Sequence, residues 1–212
     1  MFTILYEDDA LLAVNKPEGL ASITERRLEA ENLHKLLTAQ FQQRLYIVHR
    51  LDKEASGVIL FAKHAEAHQF LNDQFSNREV KKTYAALVHG SIDDDHGIFD
   101  QPIREFGSGR MGVDPSRGKE SVTNFEVVKR WDKFTLIHAL PITGRRHQIR
   151  VHFYSTGHPI VGDLRYGDKK VQGQFPRLML HALRIEFRLY SGQRKTIESP
   201  LPPSFEKTMG IL

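Results

Sequence analysis

The chain has 212 residues, 40% of them hydrophobic, enough for one globular domain or two tightly fused lobes with a sizeable core. It has no cysteine, which excludes a disulfide framework and any thiolate zinc or iron–sulfur site, and no apolar run approaches the ~20 residues of a membrane helix. Lys and Arg number 30 against 26 Asp and Glu, and the resulting net charge of +4 leans towards a polyanionic partner.

From the N-terminus, Phe2–Tyr6 and Leu11–Asn15 flank Glu7-Asp8-Asp9 and read as a hairpin. Those three acids stand where a signal peptide would be basic and then apolar, so a cytoplasmic protein is expected. Lys16-Pro17-Glu18-Gly19 is a turn, in which Lys16 is read as structural. Apolar residues at near-helical spacing predict a helix over Leu28–Gln43 and another over His64–Phe75. Strands are expected around Tyr46–Val48, at Val58–Ala62 and at Thr83–Val88. Residues 89 to 121, full of Gly, Asp, Arg and Pro, read as a loop-rich segment. Strands resume at Asn124–Trp131, Phe134–Leu140 and Leu180–Tyr190, with a helix favoured over His147–Tyr154 because Ile149 and Phe153 are four apart. Many strands and few helices, not in strict alternation, predict an α+β fold over 1–212 with a largely antiparallel mixed sheet and flanking helices.

Several motif resemblances fail on context. Gly107-Ser-Gly-Arg-Met-Gly112 spells GxGxxG, but Val113-Asp114-Pro115-Ser116 cannot open the helix a dinucleotide site needs, so the stretch reads as a flexible basic loop. His49-Arg50-Leu51-Asp52 faintly resembles a kinase catalytic loop, yet the Gly-rich segment follows it instead of preceding it. His147 and His152 are spaced too far apart for the one-turn pair of a zinc protease.

What remains is a constellation. His49-Arg50-Leu51-Asp52 feeds the apolar run Val58–Phe61 through Ser56-Gly57. In extended backbone alternate residues share a face, so Arg50 and Asp52 point the same way, a cation beside a carboxylate at the mouth of a strand. Taken alone, such a pair is most often a surface ion pair. Lys81-Lys82-Thr83-Tyr84, Thr143-Gly144-Arg145-Arg146-His147-Gln148-Ile149-Arg150-Val151-His152 and Gly157-His158-Pro159-Ile160-Val161-Gly162-Asp163 with Tyr166-Gly167 complete the set.

In kind and order these segments resemble the RluA-type RNA pseudouridine synthases, from Leu12–Pro17 to the last strand. The resemblance implies Asp52 as the catalytic residue and Arg50 as the side chain that enters the RNA when the target nucleotide leaves its stack. It implies Tyr84 as the ring that stacks on the flipped uracil, Arg150 as partner of the catalytic carboxylate, and Ile149 as an apolar wall. One departure is Ala55, where that family commonly has a threonine whose hydroxyl could brace the elbow. Isomerising uridine cleaves N1–C1′ and rejoins the base through C5; nothing is oxidised or hydrolysed, so no cofactor and no metal is expected.

The partner is then RNA, a tRNA or ribosomal stem-loop, with no membrane and a monomeric enzyme expected. Arg145 and Arg146 form one basic cluster for it, and Arg104, Arg110, Arg117 and Lys119, in a loop expected to be mobile, form another. No separate N-terminal RNA-binding domain is expected. The competing reading is an RNA-binding or chaperone protein on the same scaffold; the survival of acid, tyrosine and arginine together favours the enzyme.

Overall fold

The computed structural model describes residues 2–24 and 31–212. The elements in chain order are β1 (Thr3–Glu7), β2 (Leu11–Lys16), α1 (Leu33–Phe41), β3 (Tyr46–Ile47), β4 (Ser56–Ala62), α2 (Ala65–Ser76), β5 (Lys81–His89), β6 (His96–Phe99), β7 (Ile103–Glu105), β8 (Met111–Val113), β9 (Thr123–Arg130), β10 (Phe134–Pro141), α3 (Gln148–Ser155), α4 (Lys169–Gln172), β11 (Leu180–Arg188), β12 (Arg194–Glu198) and α5 (Pro203–Gly210). The protein is α+β with a large, mostly antiparallel sheet, as composition and pattern predicted. It divides into two compact units, Met1–Lys81 with Ala182–Pro200, and Lys82–His181 with Leu201–Leu212.

In the first unit β1 pairs with β2 and β2 with β4, both antiparallel, in a register running from Leu11 opposite Ala62 to Lys16 opposite Gly57. The β1–β2 turn forms because Asp8 Oδ1 accepts the amides of Ala10 and Leu11. All seven residues of β4 are buried, which explains why its sequence is a continuous apolar run with no alternation. α1 is capped by Asn32, whose side chain accepts the Lys35 amide, and inserts Leu33 and Leu37 into the core. The helix is therefore shorter than the expected Leu28–Gln43; positions 28–30 lie outside the described residues. α2 begins at His64, also a cap, and lays Ala67 and Leu71 on the core.

In the second unit β5, β10, β9 and β6 pair antiparallel in that order. Phe99, Phe125 and Phe153 pack with ring centroids 4.9 to 5.6 Å apart and join this sheet to α3. The helix expected from Ile149 and Phe153 is present, and the six residues from Gln148 to Phe153 are all buried.

The segment 89–121 is not merely a loop. It contains β6 and a β7–β8 hairpin in which Ile103 faces Val113 and Glu105 faces Met111. Strands of three residues, separated by a turn whose Gly109 has φ +73°, give no run long enough to show a period. The GxGxxG spelling falls on this turn. α4, β12 and α5 were not expected either. They have four, five and eight residues, too short for periodicity to speak.

Candidate active site and nucleic-acid interface

The elbow between β3 and β4 has no strand partner along Arg50–Asp52 among the described residues, yet its burial alternates. Leu51 is buried, Arg50 is exposed and Asp52 is half-buried. The shared face predicted for Arg50 and Asp52 is the outer one, and the inner face is anchored. Leu51 exchanges two hydrogen bonds with the Ser22 hydroxyl, which accepts its amide at 3.1 Å and donates to its carbonyl at 2.8 Å. His49 accepts the Leu60 amide at Nε2 and stacks on Phe75 at 4.9 Å. The Ala55 amide donates to the Asp52 carbonyl and turns the chain into β4.

Lys16 supplies a further brace. Its side chain is fully buried, and its ammonium donates to the carbonyls of Pro17 (2.8 Å), Leu20 (2.7 Å) and Lys53 (3.2 Å). A buried ammonium is tolerated only when such acceptors replace water. The structural reading of Lys16 holds, and one of the carbonyls it grips belongs to the residue after Asp52. Ala55, where a hydroxyl was missed, is buried; the elbow is held by Ser22 and Lys16. Gly57 has φ +114°, and a Cβ there would lie 2.3 Å from the Ala182 carbonyl oxygen, so only glycine fits where β4 passes β11.

In the second unit Lys82 and Tyr84 lie two apart on β5 and share its half-buried face, while Thr83 and Ala85 face the core. Tyr84 stands opposite Ala139 on β10. Burial lowers the Lys82 ammonium from its ordinary 10.5 to about 8. Its Nζ lies 4.0 Å from where a side chain at Gly144 would begin, so the Thr143-Gly144 turn abuts it.

That turn leads into α3. Thr143 Oγ1 and the Arg145 amide both donate to Gln148 Oε1, and Gln148 Nε2 donates to the Val122 carbonyl and Thr123 Oγ1. His147 takes a left-handed φ of 55° to start the helix. These bonds fix Arg150, which is 3% exposed. Its Nε and Nη2 make a bidentate pair with Asp163 at 2.8 Å each. Asp163 also accepts the amides of Arg165 and Tyr166. Sequence reasoning quoted Asp163 in a motif but gave it no partner; a buried arginine's need for a carboxylate was the available signal. Ile149 is buried, 6% exposed.

The basic residues of 104–119 are not equivalent. Arg104 Nε bonds to Asp114, whose carboxyl is held well below the usual range by the Ser116 hydroxyl first and Arg104 second. Arg110 lies 5.1 Å from both the Tyr154 and Tyr166 ring centroids. Arg117 and Lys119 are exposed. The segment contains a short hairpin where a loop was expected. Tyr166, buried, accepts the Met111 amide at its hydroxyl, and Ile103, Val151 and Tyr166 form a cluster beneath the strands. Arg146 pairs with Glu105 at 2.8 Å, and Arg145 donates to the Glu120 carbonyl. Among the described residues no group of three or more His, Asp or Glu is placed to hold a metal, and no helix is long and apolar enough to cross a membrane.

The fold is that of RNA pseudouridylate synthase domains. The structure of human RNA Pseudouridylate Synthase Domain Containing 1 superposes with a TM-score of 0.82 at 30% identity, covering 97% of this chain and 86% of that one. The sequence model of the family, RNA pseudouridylate synthase, matches residues 10–155. Ribosomal large subunit pseudouridine synthase C of Pasteurella multocida is 39% identical over 219 residues, 99% of this chain and 67% of the relative. Dual-specificity RNA pseudouridine synthase RluA of Vibrio cholerae is 38% identical over 186 residues, 87% of this chain and 76% of the relative. The chain belongs to the RNA pseudouridylate synthase family, and it is an RNA pseudouridine synthase, an isomerase.

Proposed function

We propose that the chain isomerises specific uridines of structured RNA, ribosomal RNA first, with Asp52 as nucleophile or base on a nucleotide lifted from its stack. The observation that carries the assignment is the elbow. Ser22, His49 and Lys16 brace the backbone on either side of Asp52, whose side chain is half-buried. A positioned acid beside an exposed Arg50 has the parts the reaction requires.

Chemically, N1–C1′ breaks, the uracil turns, C5–C1′ forms, and the C5 proton leaves as N1 gains one. Unstacking the target costs a few kcal/mol, and insertion of Arg50 into the vacated place with stacking on Tyr84 offsets about 1–3 kcal/mol of it. Arg150, fixed by Asp163, is the residue that the family resemblance pairs with the catalytic carboxylate. Ribosomal RNA is preferred because relatives named for ribosomal large subunit modification align over nearly the whole chain. A tRNA stem-loop is a further substrate of the same chemistry. Mapping pseudouridine in total RNA with and without the gene tests this. Sites lost from large-subunit ribosomal RNA support the reading, and losses confined to another RNA class would overturn its choice of substrate.

A further inference from the structure

The β7–β8 hairpin does not pack flush on α3. Between them lies a cavity of about 470 Å³, lined among others by Phe106, Arg110, Met111, Val151, Tyr154 and Ser155. That volume is within the ~300–1,000 Å³ of small-ligand sites. Its walls are largely carbon and ring faces, and two of the rings are open to solvent, Phe106 at 37% and Tyr154 at 44%. Both carry a guanidinium: Arg104 lies 4.1 Å from the Phe106 centroid, and Arg110 lies 5.1 Å from that of Tyr154.

The hairpin is held open by other contacts. Arg146 and Arg165 both donate to the Gly109 carbonyl, the Tyr166 hydroxyl takes the Met111 amide, and Arg104 binds Asp114. Exposed aromatic faces interleaved with arginines are the arrangement on which unstacked bases sit, each base binding by its π-face while cations meet the adjacent phosphates. Carbon walls with arginines at the rim match a nucleotide, apolar on its ring faces and anionic at its phosphate.

We infer that the cleft between the β7–β8 hairpin and α3 is a subsite for a second unstacked base of the RNA, distinct from the uridine that reacts. This rests on the proposed RNA substrate. Recognition is by stacking on Tyr154 and Phe106, with the hydroxyls of Ser108 and Ser155 at the lining to meet the base edge. The subsite communicates with the catalytic set through Tyr166. The Arg110 guanidinium is 5.1 Å from its ring centroid and that of Arg150 is 5.2 Å.

The test uses the full chain and a large-subunit ribosomal RNA transcript carrying 4-thiouridine, crosslinked by near-ultraviolet light and mapped by mass spectrometry. Crosslinks at Phe106 or Tyr154 are expected; crosslinks confined to peptides outside 106–113 and 151–155 would overturn the subsite. In parallel, affinity for single-stranded oligouridylate is measured at several salt concentrations. Tyr154→Ala should weaken it about 5-fold or more with the salt slope unchanged, since a stacked base and not a phosphate is lost, whereas Tyr154→Phe should bind normally. Unchanged affinity in Tyr154→Ala, or a loss that flattens the salt slope, would contradict the inference. Should Tyr154→Ala fold poorly, Ser155→Phe, at an exposed helical position, fills the cleft and should weaken binding comparably; normal binding by that variant would count against the subsite. Tritium release by the wild-type chain is read separately: its absence would sink the proposed substrate, while the crosslinking and affinity arms still decide the subsite.

Discussion

Lys16 does its work without touching solvent. Replacing it by methionine keeps most of the volume but takes the ammonium from the carbonyls of Pro17 and Leu20, and leaves that of Lys53 with the Gly19 amide. An unsatisfied buried polar group costs about 1–3 kcal/mol, so Lys16→Met should lower stability by at least that much in urea denaturation and also slow turnover, because Lys53 adjoins Asp52. Stability loss with full turnover would show that the brace does not serve the site. Lys82 behaves in the opposite way. Its ammonium is lowered to about 8 because folding desolvates it, so the charged form opposes folding below that pH and the penalty fades as pH rises towards the ordinary lysine value. Lys82→Met should therefore raise the melting temperature at neutral pH. A melting temperature unchanged in Lys82→Met would contradict the assigned cost. The alternation that places Arg50 and Asp52 on one face was legible in the sequence, because period two is a local property of extended chain. The partner of Arg150 was not, because a bidentate contact to Asp163 depends on how the turn after α3 folds back.

The β7–β8 hairpin shows where composition misleads. Glycine, aspartate and arginine over 104–119 read as a solvated loop, yet Ile103 is buried and Arg104 is spent on Asp114. Tertiary contacts to Tyr166 and α3, invisible in a window of three residues, make the strands. Arg117 and Lys119 are the exposed cations of this segment, and we expect them to carry most of its salt dependence. Arg117→Ala with Lys119→Ala should reduce the slope of log affinity against log salt by about 1.5–2, with the melting temperature kept. An unchanged slope would move the footprint to Arg145 and Arg146. α3, by contrast, was legible from Ile149 and Phe153, and its role is mechanical as much as chemical. Asp163→Asn removes the carboxylate that compensates Arg150; breaking a buried pair costs about 3–5 kcal/mol, which thermal unfolding should show together with lost turnover. A variant as stable as the wild type would mean that Arg150 has enough other partners to do without Asp163.

At the scale of the molecule, four ordered motifs carried the family, and the family match over residues 10–155 agrees with them. The large antiparallel sheet was legible because its strands are long and apolar. The last strand and helix, β12 and α5, were not, being short pieces held by Ile197 and Phe205 in the core. That the carboxylate presented by the braced elbow performs the chemistry is our principal proposal. It is tested most directly by tritium release from 5-tritiated-uridine ribosomal RNA, comparing the wild-type chain with Asp52→Asn, which is nearly isosteric but can act as neither nucleophile nor base. The expected result is release by the wild type and none above background from Asp52→Asn, with melting temperature and RNA affinity close to normal. Release by purified Asp52→Asn at a rate comparable to the wild type would contradict the claim and place the catalytic group elsewhere.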